Sequence, residues 1–191
     1  MIKLDAKAFA RDAAARMCGF ETYRFIMDRF EVADVSKDDE FQRKFTFFYR
    51  VRRARGWLDS FYAVFQSLRN VPGLRFEKVL EELSAISDGR LEISFASKLL
   101  ATIRPEMPIW DKFVRINLGL PELPDKGGAE DRFDAAVSLY GKLVEETEGL
   151  LRREDVRREI SEFDKIFPAY ACFTSMKKLD FLLWGANRIE P

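Results

Sequence analysis

Apolar side chains recur at steps of three and four along most of this chain, and that spacing narrows its possible folds more than any other feature. Between residues 20 and 30 the apolar positions are Phe20, Tyr23, Ile26, Met27 and Phe30; between 57 and 68 they are Trp57, Phe61, Val64, Phe65 and Leu68. A helix turns once in about 3.6 residues, so each set forms a stripe down one side. A strand needs apolar and polar residues to alternate, and only Leu91-Glu92-Ile93 does so, weakly. The expected fold is all-α, a compact packing of about eight helices with boundaries good to ~2 to 4 residues. A length of 191 residues suits one domain spanning 1–191.

Caps and breakers divide the chain. Helices are expected over 5–17, closed by Gly19, and over 20–30. Ser36 and Asp39 read as a capping box for a helix running from Phe41 to Arg55, with Phe41, Phe45, Phe48 and Val51 or Arg52 on one face and Gly56 as its break. Trp57 to Leu68 follows, ended by Val71-Pro72-Gly73, and then 76–86. Ser87-Asp88-Gly89 reads as a turn. A helix opened by Ser94 carries Phe95, Leu99, Leu100 and Ile103 and is closed by Pro105. Asp111 is placed to cap a short helix that Gly119 ends. After a loop over 120–128, three helices over 129–151, 155–167 and 174–186 complete the chain.

Composition excludes several chemistries. There is no His, which removes the commonest general base near neutral pH and the commonest metal ligand. Cys18 and Cys172 are far apart with no CxxC spacing, so no zinc or iron-sulfur site, and no metal or cofactor, is expected; both read as buried reduced thiols. A Cys nucleophile ranks last among enzymatic readings, since no His is there to stabilise a thiolate. Thirty-two basic and thirty-two acidic residues cancel, so any polyanion site has to be a local patch. Eighteen Phe imply a core built from aromatic plugs. No apolar run reaches the roughly 18 residues of a membrane span, and the opening residues lack the apolar stretch of a secretory leader, so a soluble, cytoplasmic protein is expected.

Two segments carry functional promise. The first is basic: Arg43, Lys44, Arg50, Arg52, Arg53 and Arg55 have no acid among them, although Asp38, Asp39 and Glu40 just upstream are placed to pair with part of the run. Such a stripe suits phosphates. By contrast Arg152, Arg153, Arg157 and Arg158 alternate with acids as a solvated helix face does, and Lys177 and Lys178 read as snorkelling side chains. The second segment is Pro108-Ile109-Trp110-Asp111, which sets one carboxylate at the start of a helix behind a stiff apolar run. Backbone N–H groups there stabilise the charge, and apolar neighbours limit its hydration.

The run Pro108-Ile109-x-Asp111, followed by Val114 and Arg115 and preceded by a helix with Ala96-Ser97-Lys98, resembles the catalytic core of the helix-hairpin-helix DNA glycosylases. In that superfamily, to which 8-oxoguanine DNA glycosylase belongs, a Pro-apolar-x-Asp-x-x-Val-x-Arg segment carries the catalytic Asp. The match is specific over about 96–120, within a glycosylase-like core of about 76–120. The closing helix, 178–185, is similar to the aromatic helix near the end of that domain. The hairpin falls on 86–93 and is degenerate: Gly89 stands alone where two glycines are usual, which marks a divergent member.

The resemblance implies a helix-hairpin-helix glycosylase-like fold and a DNA-binding, DNA-repair hydrolase. Its Asp111 cleaves the N-glycosidic bond of a damaged base by stabilising the cationic sugar or activating water. DNA is the implied partner, held by the basic run with Gly89 and Arg115, and Trp110 is the ring implied to stack on an extruded base. Lys98 lies too close to Asp111 to match the Schiff-base lysine, and the four cysteines of the iron-sulfur subclass are absent, so a monofunctional enzyme without cofactor is implied. The alternative is a non-catalytic helical module that binds nucleic acid or a protein partner.

Overall fold

The computed structural model describes residues 4–11 and 13–186, with side chains from 19 onward in the second stretch. Among these residues there are ten α-helices and no strand, so the protein is all-α. The chain forms two compact units, one of residues 14–103 and one of the chain on either side of them. The glycosylase-like segment 76–120 is thereby divided, its hairpin in the first unit and Asp111 in the second.

The first unit holds α2 (Ala13–Val32), α3 (Asp39–Tyr49), α4 (Arg55–Leu68), α5 (Phe76–Ala85) and α6 (Ile93–Ile103), following α1 (Ala6–Ala10), which belongs to the other unit. Gly19 does not stop a helix; it lies inside α2, where a glycine costs only about 1 kcal/mol. A side chain there would meet the Phe48 ring at 4.0 Å, so the missing Cβ gives that ring room. The stripe Phe20, Tyr23, Ile26 and Phe30 is buried as its spacing requires.

The helix expected to run from Phe41 to Arg55 ends at Tyr49, and Arg55 opens the next helix instead. Asp38, not Ser36, caps α3, its Oδ1 accepting from the N–H groups of Glu40 and Phe41 at 3.1 and 3.0 Å. Arg50 then takes the left-handed conformation (φ 52°, ψ 44°), and the N–H of Val51 donates to the Thr46 carbonyl at 3.0 Å. Burial decides the break: the turn puts Tyr49 and Val51 both inside, which a straight helix two residues further on could not do. Gly56 sits in the first turn of α4, where its helical penalty is small.

Aromatic rings fill this unit. Phe41, Phe45, Phe61 and Phe65 are fully buried and Tyr62 nearly so. Phe65 lies 5.4 Å from both Phe30 and Phe45 and 5.9 Å from Phe41, centroid to centroid. Each such ring contributes about 1.5 to 3 kcal/mol by leaving water. The Tyr62 hydroxyl finds the Gln42 carbonyl at 2.9 Å and Thr46 Oγ1 at 2.8 Å, and burial pushes its phenol well above the usual range. Val35, in the α2–α3 loop, is held by two glutamines: its N–H donates to Gln66 Oε1 at 2.9 Å, and its carbonyl accepts from Gln42 Nε2 at 3.0 Å.

In the second unit, α1 packs on α9 (Glu154–Ile166) and α10 (Ser175–Ala186). The Ala6 N–H donates to Glu159 Oε2 at 2.8 Å, and Phe9 meets Phe163 and Phe167 at 6.1 and 6.3 Å. The long α8 (Ala129–Arg152) lies against α9 and α10, and the short α7 (Lys112–Asn117) against α10. Within a residue or two, α4 to α10 stand where the breakers put them. None of the described helices is long and apolar enough to cross a membrane.

Candidate functional site

Asp111 caps α7. Its backbone is extended (φ −113°, ψ 150°), and its Oδ1 accepts from the Phe113 N–H at 2.8 Å. Among the described residues Oδ2 has no hydrogen-bond or charge partner, and the side chain is half-exposed. Around it Pro108, Ile109, Trp110 and Val114 are buried. The carboxylate is thus held by one oxygen at a helix start, over an apolar wall, with its other oxygen available.

The backbone leading to it is pinned. The Pro105 carbonyl accepts from Thr174 Oγ1 at 2.8 Å, and the Pro108 carbonyl accepts from the Tyr140 hydroxyl at 2.9 Å. Burial drives the Tyr140 phenol far above its ordinary pKa, so it stays a donor across the working pH range. Beyond α7, Asn117 Nδ2 donates to the Leu183 carbonyl at 2.8 Å. Hydrogen bonds to α8, to α10 and to the turn before α10 therefore fix the segment on both sides of Asp111.

Trp110 is only 9% exposed and forms part of the wall; the exposed ring on this helix is Phe113, which meets Trp184 edge-on at 6.5 Å. Arg115 stands directly after Val114, one place earlier than the arginine of the glycosylase segment. Its guanidinium folds back to the Leu120 carbonyl at 2.9 Å and pairs with Glu122, closing the turn that Gly119 makes at φ 66°. Arg115 is thereby occupied in holding the C-terminal end of α7.

In the first unit, α5 and α6 pack together across the turn that joins them. Asp88 and Gly89 are both left-handed (φ 51° and 77°), and the N–H groups of Gly89 and Arg90 donate to the Ser84 and Ser87 carbonyls at 3.0 Å each. The Gly89 amide caps α5 and the Arg90 amide closes the turn, so both are bonded within the chain. The basic run docks one of its members here. Arg53 pairs with Glu92, and its guanidinium lies 5.3 Å from the Trp57 ring and 5.4 Å from the Phe95 ring. Trp57 Nε1 in turn donates to Ser87 Oγ in the hairpin turn at 2.9 Å.

The other basic residues divide. Arg55 pairs with Asp59 at 2.9 Å and Asp39 at 3.8 Å, Arg43 reaches Glu40 only at 4.0 Å, and the Lys44 ammonium lies 5.7 Å from the Phe25 ring. Arg50 and Arg52 are exposed and make no ion pair among the described residues. Lys98 is buried in α6 with its ammonium 5.4 Å from the Phe95 ring.

Lys177 and Lys178 do not snorkel; both are buried in α10. Lys177 pairs with Asp180 at 2.8 Å, one turn along the helix, a spacing visible in the sequence. Lys178 donates to the Ala171 carbonyl at 2.8 Å and lies 2.7 Å from Asp164 Oδ1, off the line of a hydrogen bond, so that contact is one of charge alone. Nothing in the pattern pointed to Asp164. Cys172, expected to be buried, is exposed, and Cys18 lies outside the residues whose side chains are described. Among the described residues no three Cys, Asp or Glu side chains come together as a metal site requires. Comparisons with protein-family models, with curated proteins and with solved structures give no match.

Proposed function

We propose that the protein binds DNA and hydrolyses the N-glycosidic bond of a damaged base, with Asp111 as the catalytic carboxylate. One observation carries the proposal: Asp111 is anchored through Oδ1 at the start of α7 while Oδ2 has no partner among the described residues. A carboxylate so placed cannot swing away, and its apolar wall strengthens its field at a nearby positive centre. As the base leaves, the sugar acquires positive charge. Asp111 stabilises that charge or takes a proton from the attacking water, and the hydroxyl adds to the sugar carbon as the base departs with the bonding pair. The exposed arginines between residues 43 and 52 supply phosphate contacts.

Incubation with duplexes that hold 8-oxoguanine, uracil, an alkylated base or a mismatch tests the proposal. Abasic product from at least one of them, absent with Asp111→Asn, supports it; no product from any refutes catalysis on those bases. A second reading, the non-catalytic binding module, is favoured by the hairpin, whose Gly89 and Arg90 amides are already bonded within the turn. Salt-dependent DNA binding without product on any substrate favours that reading.

A further inference from the structure

An exposed phenylalanine lies in sequence among the arginines of the basic run that lack firm partners. Phe47 is 70% exposed in α3, where the rings of Phe41, Phe45 and Tyr49 are buried and that of Phe48 is half-buried. Arg43 and Phe47, four residues apart, are neighbours on one face of α3, and Arg50 follows as its exposed, left-handed C-cap. Arg52 is exposed two residues beyond. No acidic residue occurs from Phe41 to Leu58. Arg43 has Glu40 at 4.0 Å, at the far end of the helix from Arg50.

Exposing a phenylalanine forfeits about 1.5 to 3 kcal/mol of burial, and a ring among exposed arginines is an uncommon surface. Three occupants differ in what they require. A lipid surface requires a broad apolar helix face, but the apolar stripe of α3 is turned into the core and leaves one ring outside. A protein interface accepts arginine beside an aromatic anchor but requires a broad patch, whereas Phe47 is the one large apolar side chain exposed on α3. A nucleic acid strand requires cations for its phosphates and a ring for its base, and only an unpaired base offers its face for stacking.

We infer that Arg43, Phe47, Arg50 and Arg52 form a binding face for single-stranded DNA, with an unpaired base stacked on Phe47 and the neighbouring phosphates on the arginines. The inference rests on the DNA-binding reading above and adds to it a contact with unpaired bases; it involves neither Asp111 nor the hairpin.

Fluorescence anisotropy of the full chain with labelled oligothymidylate of about 20 nucleotides, and with a duplex of equal length, tests it at low salt. Phe47→Ala should weaken single-strand binding by about tenfold or more and leave duplex binding within about twofold, since stacking is worth ~1 to 3 kcal/mol per base. Phe47→Trp should retain it. A double Arg50→Ala, Arg52→Ala variant should flatten the dependence of log affinity on log salt by about one to two units. An unchanged single-strand affinity in Phe47→Ala, or equal losses on both DNAs, overturns the stacking face. So does Phe47-dependent binding to vesicles of phosphatidylserine and phosphatidylcholine without binding to oligothymidylate. Binding to both DNAs with Phe47 irrelevant refutes this inference alone, whereas binding to neither refutes the DNA-binding reading with it.

Discussion

Replacing Arg53 by alanine should destabilise the protein far more than replacing any of its basic neighbours, because Arg53 is committed to the hairpin and they are not. Its two ring contacts contribute about 0.5 to 1 kcal/mol each. Its pair with Glu92 joins side chains 29% and 12% exposed, between a surface bridge and a buried one. Surface bridges are worth about 0 to 1 kcal/mol, and breaking a buried one costs about 3 to 5, so about 1 to 2 kcal/mol belongs here. The sum is about 2 to 4 kcal/mol. For a chain of this length each 1 kcal/mol moves the melting temperature by about 2 to 4 °C, so Arg53→Ala should melt about 4 to 16 °C lower.

Arg52→Ala, exposed and without an ion pair, should shift by less than about 0.5 kcal/mol. Thermal denaturation followed by circular dichroism reads both. Glu92→Ala should reproduce part of the loss, and the double variant should fall short of the sum of the singles by about 1 kcal/mol or more. Equal melting temperatures for Arg53→Ala and Arg52→Ala would contradict the clamp and return Arg53 to the pool of phosphate ligands.

Arg50→Gly should do the reverse of most substitutions in a binding face: raise stability by about 1 kcal/mol by relieving the left-handed arginine, while weakening DNA binding. Lys178→Ala strands the Ala171 carbonyl and the Asp164 charge and should cost about 2 to 4 kcal/mol in urea denaturation; replacing both members, Lys178→Met with Asp164→Leu, should recover most of it. The carboxyl of Asp38 is held below its ordinary value of 3.8, first by the hydrogen bond from the Phe41 N–H and then by Arg29. The unfolded chain therefore binds a proton there before the folded protein does, and stability is lost as pH falls through the lower, folded pKa. Urea titrations of the protein and Asp38→Asn should differ most above the ordinary carboxylate range and converge as pH falls below it.

Periodicity made the helices legible because each stripe had one side to bury, and from α4 onward the ends agree with Pro, Gly and Asp at their usual posts. It failed where a break carried no breaker. Arg50 ends α3 because Tyr49 and Val51 both have to be covered, a tertiary demand that no residue in 41–55 advertises. Gly19 failed in the opposite sense, since helix on both sides overrides one glycine that makes room for Phe48. At the site, Asp111 was legible as a cap from its position alone, whereas Asp164 beside Lys178 was not, the two being brought together only by the packing of α9 and α10. Phe47 was legible in principle. It falls off the Phe41–Phe45 stripe by phase, and an apolar residue out of phase is an exposed one.

Single-turnover excision with Asp111→Asn most directly tests whether Asp111 acts as a charge or only as a helix cap. Asparagine caps a helix about as well as aspartate, so the variant should melt within about 2 °C of the parent protein. Its excision rate, on whichever damaged duplex the parent cleaves, should fall by about a hundredfold or more. A variant equally stable and equally active would contradict the assignment and leave Asp111 as the cap of α7 alone.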